Sequence, residues 1–280
     1  MELIESKALF DAGAQAWAAY SRTPLGRIRH EVTWHNISLH LPATVEGEPP
    51  PQALDAGGGS GEMALQLVQQ GYRVFLLDCA PGMLDLAGQA AERLETDLRT
   101  RLTTCLISAE DAPQRFCPGS FDAITCHTLI EYLPEPRGTL HGLAHLLRDG
   151  GLLSVSFVNR HSEVLRRAWL QDDPAGALAS LDNATFCAAL FHLEGTAYTA
   201  EEVETWLVEL GLTVIARCGV RVFADYVPRE RLGEPAFFDA ILRLEKAVAE
   251  RPPYRSMARY VHLIARKEAL GEVMAPPPAH

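Results

Sequence analysis

Asp55-Ala56-Gly57-Gly58-Gly59-Ser60-Gly61 is the stretch that decides the fold. Before it runs Pro51-Gln52-Ala53-Leu54, short and apolar enough for a buried strand. After it, from Glu62 to Gly71, apolar residues fall at 64, 65, 67 and 68 and a glycine follows the last polar pair. That spacing reads as a helix with a C-cap. Strand, glycine turn and helix together form the nucleotide-binding corner of an open α/β sheet. Glycines let the backbone turn sharply and let a ligand approach the main chain without a Cβ in the way. A dinucleotide fingerprint, Gly-x-Gly-x-x-Gly, would need a third glycine at 62, where Glu62 stands.

The pattern is instead acidic-x-Gly-x-Gly-x-Gly, with Asp55 closing the strand. This form resembles the S-adenosylmethionine (SAM) loop of the Rossmann-like methyltransferases. SAM lacks a pyrophosphate and so does not demand a bare helix N-terminus. Its ammonium and sulfonium favour nearby acids such as Asp55 and Glu62. A second strand, Tyr72 to Asp78, ends in an acid 23 residues after Asp55, where a carboxylate can accept both ribose hydroxyls of an adenosine. The competing reading is a solvated strand end. Met83 is suited to lining an adenine pocket or simply to packing its helix. Ser108-Ala109-Glu110-Asp111 follows the third strand, at the corner that holds adenine in such enzymes, with Asp111 as a helix N-cap the other account.

Composition bounds the class. The 280 residues suffice for one large α/β domain with an insert, or for two small domains. With 48% hydrophobic and 22% charged residues the chain reads as globular, and no apolar run approaches the ~20 residues of a spanning helix. The acidic start, Met1 to Glu5, lacks a signal peptide's basic and apolar regions. Six cysteines show no CxxC pair and no metal-ligand spacing, so no metal is expected and a reduced cytoplasm fits. Cys105, Cys126 and Cys218 read as small buried hydrophobes. A net charge of −11 argues against non-specific nucleic-acid binding.

Along the chain, residues 6–20 and 24–41 read as amphipathic helices, with Thr23 as N-cap and Pro24 at the first helical position. Residues 1–45 then form an N-terminal helical cap and 46–158 a cofactor-binding core. The core holds a helix over 82–98, strands at 102–107 and 121–126, a helix over 136–147 and a fifth strand at 152–157. Five strands with intervening helices imply a parallel sheet. Residues 159–198 read as a helical insert over the active site. Residues 199–267 complete the sheet, with a capping box at Thr199 to Glu202, strands at 212–222 and 258–265, and a helix over 234–249. The tail 268–280 reads as disordered.

His127 ends the fourth strand, in Cys126-His127-Thr128-Leu129-Ile130-Glu131-Tyr132. It is either structural or in contact with cofactor or substrate. Glu131 reads as a helix-start stabiliser or a partner of a nearby cation. In Gly219-Val220-Arg221-Val222-Phe223-Ala224-Asp225-Tyr226, strand alternation places Arg221 and Phe223 on one face. Arg221 either forks onto a carboxylate or phosphate, or pairs with Asp225 or Glu131.

These segments, with Ala258-Arg259-Tyr260-Val261-His262, resemble the tRNA carboxymethoxyuridine carboxyl methyltransferases over residues 10 to 267. The resemblance implies a class I methyltransferase fold: a mostly parallel seven-stranded sheet with helices on both faces. It implies SAM as cofactor, held by Arg29, Asp55, Gly57, Gly58, Gly59, Asp78, Met83, Ala109, Glu110 and His127. Arg29 would reach the carboxylate of SAM. Arg221, Tyr226, Arg259, Tyr260 and His127 would position the acceptor. The acceptor is then tRNA or a small carboxylate-bearing molecule. The family's insert is expected to carry a lysine-rich stretch for the tRNA backbone. Here residues 175–198 contain no lysine or arginine, which favours a small-molecule O- or C-methyltransferase. A SAM-binding module without activity is a third reading.

Overall fold

The computed structural model describes residues 3–45, 47–181, 185–188 and 190–268; the expected disordered tail lies, from 269 on, outside them. In chain order come α1 (Leu3–Ser21), α2 (Pro24–Ser38), β1 (Gln52–Ala56), α3 (Glu62–Gln69), β2 (Arg73–Asp78) and α4 (Pro81–Ala91). Then follow β3 (Leu102–Leu106), β4 (Phe121–His127), α5 (Pro136–Leu146), β5 (Leu147–Val158), α6 (Arg160–Leu170) and α7 (Pro174–Ala179). The chain closes with β6 (Thr185–Ala188), β7 (Leu193–Thr196), α8 (Ala200–Glu209), β8 (Leu212–Val220), α9 (Pro235–Val248) and β9 (Tyr260–Lys267).

Seven strands form one sheet in the order β3-β2-β1-β4-β5-β9-β8. Strands β1 to β5 run parallel, and β9 runs antiparallel to both its neighbours. The chain crosses over between β1 and β4, the switch point outside which ligands bind in such sheets. From Gly151 to Val158, β5 is wholly buried, as a central strand covered on both faces must be.

Local chemistry sets several boundaries as expected. Thr23 accepts a hydrogen bond from Gly26 N with Pro24 in the first turn, and Thr199 and Glu202 close a reciprocal capping box. Asn159 caps α6 by accepting from His161 N, while its amide donates to the carbonyls of Ser256 and Ala258. One buried side chain thus fixes α6 against the segment that enters β9.

Four expectations need correction. The helix expected over 82–98 stops at Ala91, and a separate turn spans Thr96–Arg99. The break lets Leu94 and Leu98 both pack against the cluster around Val74 and Leu76. The insert expected to be helical ends in an antiparallel hairpin, β6 and β7. There Phe186 packs over Gly195, where an added Cβ would come within 2.6 Å of the ring. Cys105 is only half-buried, because β3 is an edge strand.

The fourth correction concerns Arg221. The strand expected to run to 222 ends at Val220, and Arg221 takes a left-handed φ of 63°. A non-glycine residue there is strained unless its surroundings hold it. The holder is Glu245 on α9, which is fully buried. Its carboxylate accepts from Val222 N at 2.7 Å and from Phe223 N and Ala224 N at 2.8 Å each. Three N–H groups that would otherwise be orphaned are satisfied, and Arg221 is turned inward. Glu245→Ala is expected to reduce unfolding free energy in urea by about 3 kcal/mol or more, because it strands those donors. A loss below about 1 kcal/mol would show that the turn holds without this carboxylate.

Candidate active site

The C-terminal ends of β1, β2 and β5 and the start of β9 surround a cavity of about 450 Å³. It is covered by Lys7, Phe10 and Trp17 of α1, Arg166 of α6, and Phe186 and Phe191 of the β6–β7 hairpin. A smaller space of about 60 Å³ continues beneath the glycine loop, lined by Asp55, Glu62, His127 and Ser156. The two share Trp17, Arg29, Gly57, Gly59 and Thr128.

Gly57, Gly59 and Gly61 all adopt positive φ, which accounts for the repeated glycine. Gly58 is needed for a different reason: a Cβ there would lie 2.5 Å from Asp55 Oδ2. Asp55 itself is buried, accepting from Thr125 Oγ1 at 2.7 Å, and burial pushes its carboxyl up to about 7. It underlies the loop more than it faces the larger cavity. Asp78 pins the loop from the next strand: Oδ2 accepts from Gly59 N at 2.9 Å and Oδ1 from Ala80 N at 2.8 Å. Met83, Ala109 and Glu110 line the same end of the cavity as Asp78. Asp111 makes no side-chain cap; it accepts instead from Ser108 Oγ at 2.8 Å.

Arg29 bridges the two spaces. Its guanidinium lies 4.4 Å from the Trp17 ring centroid, and among the described residues no carboxylate pairs with it. Seven buried side-chain atoms lack hydrogen-bond partners among the described residues, and five belong to Trp17, Asp55, Glu131 and Arg166, which line these spaces. Orphans of both signs fit a ligand that carries an ammonium, a carboxylate and hydroxyls, as SAM does.

The far half of the cavity is rich in guanidinium. Arg221 donates through Nε at 3.0 Å and through Nη2 to the Asp225 carboxylate, and through Nη1 to the Tyr20 hydroxyl at 2.6 Å. Arg259 pairs with Glu163 and donates to Ser162 Oγ at 3.3 Å. The Tyr260 ring centroid lies 5.5 Å from the guanidinium of Arg221 and 5.7 Å from those of Arg29 and Arg259. Burial raises the Tyr260 hydroxyl's pKa, but these cations outweigh it and leave the net shift downward.

One expected position falls elsewhere, and another lies only in the smaller space. Tyr226 lines neither space; its ring packs edge-on against Trp169 at 5.6 Å, drawn there by an exposed aromatic on α6. His127 lines only the smaller space, where Nε2 meets Ser154 Oγ at 2.8 Å. The same hydroxyl meets His262 Nε2 at 2.7 Å, and His262 Nδ1 meets the Asn36 amide at 3.4 Å. Burial first, then the neighbouring His262, hold His127 well below the usual histidine range, so it is neutral at pH 7.

With this geometry in place, the chain can be set beside known proteins. A methyltransferase domain model matches residues 54–153. The tRNA 5-carboxymethoxyuridine methyltransferase of Escherichia coli (strain K12) is 30% identical over 249 residues, 88% of this chain and 90% of that protein. The chain belongs to that family of SAM-dependent methyltransferases. Among solved structures, a SAM-dependent methyltransferase from Thermotoga maritima, described as a possible histamine N-methyltransferase, aligns with a TM-score of 0.61 at 16% identity. That alignment covers 93% of this chain and 99% of the other. The magnesium protoporphyrin IX methyltransferase of Synechocystis PCC 6803, with S-adenosylhomocysteine bound, aligns at 0.60 with 16% identity over 94% and 98%. These two share the fold. SAM is the cofactor of the methyltransferase described here, and among its described residues no helix is long and apolar enough to cross a membrane.

Residues of the methyltransferase that the spacing of its sequence did not single out as site residues are Lys7, Phe10, Trp17, Glu131, Arg166 and Phe191. Glu131 is the most unusual. Both oxygens are buried and, among the described residues, neither has a hydrogen-bond partner at good geometry; burial pushes the carboxyl up to about 8 against the pull of its own main-chain N–H, Arg29, the main chain at Val158 and Arg259. Its ordinary value is 4.5, so the folded state holds this proton more tightly than the unfolded chain. The group therefore costs stability increasingly as pH rises from about 4.5 to about 8. Glu131→Gln is expected to flatten the thermal-stability profile over that window, raising Tm by several degrees at pH 8 and little at pH 5. Scanning calorimetry at both pH values reads the difference; equal shifts would mean that the carboxyl is already ionised in the folded protein.

Proposed function

We propose that this methyltransferase esterifies a carboxylate, transferring the methyl group of SAM to 5-carboxymethoxyuridine in tRNA. The observation that carries the reading is the pair of guanidiniums, Arg221 and Arg259, beside Tyr260 in the acceptor half of the cavity, with Arg29 on the cofactor side of the same ring. A carboxylate is ionised at pH 7 and needs no general base. It needs orientation and a dry site, and aligning two bound reactants can supply roughly 7–11 kcal/mol. The family relationship supports the same acceptor, since the E. coli relative bears that activity in its name.

Roles for individual residues follow from their places. Asp78 accepts the ribose hydroxyls, and the main chain of Gly57 to Gly59 leaves room for the methionine part. Met83, Ala109 and Glu110 flank the adenine. Arg29, without a protein carboxylate, takes the carboxylate of SAM. When bound, SAM supplies a methyl group on a sulfonium. Arg259 and Tyr260 wall the acceptor, and Arg221 shapes that wall through Asp225 and Tyr20. His127 stays neutral behind Ser154 and supports the strand ends. A tRNA acceptor fits an enzyme of the cytoplasm.

The insert supplies no cations over residues 175–198. A cation at the cavity rim comes instead from Arg229, which lines the cavity and is exposed. The bare insert favours a second reading, a small carboxylate-bearing acceptor. Mass spectrometry of wobble nucleosides from a deletion strain decides between them. Unmethylated 5-carboxymethoxyuridine is expected to accumulate; an unchanged nucleoside profile would leave the small-molecule reading.

The cofactor assignment has its own test. Asp78→Asn is expected to weaken SAM binding roughly 10- to 100-fold, the loss of one or two charge-assisted hydrogen bonds. Titration calorimetry measures it, with Tm as a control for loop integrity. Unchanged affinity would remove Asp78 from the ribose.

A further inference from the structure

We propose that Arg166 of α6 is the guanidinium that grips the anionic group of the methyl acceptor. The inference rests on the carboxylate-acceptor reading above and deepens it.

Arg29, Arg166, Arg221 and Arg259 all line the larger cavity. Two of them are committed. Arg221 is held by Asp225 and Tyr20, and Arg259 by Glu163 and Ser162. Of the other acids that line the cavity, Asp78 and Glu110 lie at the cofactor end, and Glu131 is pushed up to about 8 by burial and so is mostly neutral at pH 7. Among the described residues Arg29 pairs with no carboxylate, and Arg166 has only long contacts to two carboxylates that already serve other arginines. Arg29 faces the glycine loop and the cofactor end. Arg166 comes from the helix that covers the acceptor end.

The surroundings of Arg166 show why it is poised for an anion. Its Nη1 lies 3.6 Å from Asp225 Oδ1, an oxygen already accepting from Arg221. Its Nε lies 4.0 Å from Glu163 Oε1, an oxygen already taken by Arg259. The Nε–H is buried and, among the described residues, has no hydrogen-bond partner. Burial, and then the charge of Arg259, push the guanidinium's pKa downward, so a second anion would relieve it. Nε and Nη together form the fork that matches the two oxygens of a carboxylate. Arg229, the other cation on this side, is exposed and better suited to the rim.

The chemistry gives this grip a second use. One acceptor oxygen forms the new O–CH₃ bond with its own electron pair. The S–CH₃ bond breaks and its pair stays on sulfur, with no proton released. The acceptor enters as an anion and leaves as a neutral ester. Arg166 therefore holds the substrate by charge and loses that hold once the ester forms, which favours release of product.

The test uses the full chain with S-adenosylhomocysteine bound and phenoxyacetate as the probe, an aryl ether carboxylate without a nucleoside. Titration calorimetry should show Arg166→Met weakening phenoxyacetate binding at least tenfold, with Arg166→Lys in between. S-adenosylhomocysteine affinity and Tm should stay near wild type, and neutral phenoxyacetamide should not distinguish the proteins. Arg167→Ala, an arginine outside the cavity, controls for general loss of charge and should leave phenoxyacetate affinity within twofold. Equal binding by wild type and Arg166→Met, or no binding by wild type, overturns the assignment. Methyl transfer to tRNA carrying 5-carboxymethoxyuridine is measured alongside. Arg166-dependent phenoxyacetate binding without tRNA methylation would retire the tRNA acceptor and keep the grip. Methylation at an unchanged kcat/KM in Arg166→Met would keep the acceptor and retire the grip.

Discussion

The carboxylate of Asp78 is the joint on which the cofactor end is built. It ends β2 and accepts from the main chain of both Gly59 and Ala80. The glycine loop is thus tied to a strand other than the one that feeds it. A loop with three positive-φ glycines has little intrinsic preference for one shape, since glycine loses the most conformational freedom on ordering. Charge-assisted bonds from Asp78 offset part of that loss, and Asp55 packs beneath Gly58 too closely to admit a side chain. The pocket is therefore shaped in advance of its ligand.

A similar device recurs at the acceptor end. Glu245 gathers three consecutive N–H groups and thereby turns Arg221 into the cavity. Asn159 docks α6 on the chain leading to β9, which brings Glu163 against Arg259. Burying so many charges is costly unless they are paired, and the pairs Arg221–Asp225 and Arg259–Glu163 meet that condition. Their mutual satisfaction leaves Arg29 without a carboxylate among the described residues and Arg166 with only long contacts to acids already engaged.

Much of this was legible in the sequence where the signal is local. The glycine corner, the acid ending β2, the Thr23 and Thr199 caps and most strands are short-range patterns, and the structure has them. The misses are long-range. Nothing near Arg221 announces that a carboxylate more than twenty residues away ends its strand. The β6–β7 hairpin is only four residues on each side and is set by Phe186 packing over Gly195. Arg166 sits beside Arg167 on an amphipathic helix, where a charge reads as a solvated face until α6 is placed over the cavity. Arg29 was visible only through family likeness, because its burial depends on Trp17 from another helix.

The reversed course of β9 has a wider consequence. Every other strand of the sheet offers its far end to the ligand side, whereas β9 offers its beginning, so Arg259 and Tyr260 arrive from a separate connection. In the proposed assignment, the donor residues lie in the first half of the chain and the acceptor residues in segments that follow it. A lineage with this fold can remodel the stretch before β9, the turn after β8 or the helix after β5, and take on new acceptors while its methyl source stays the same.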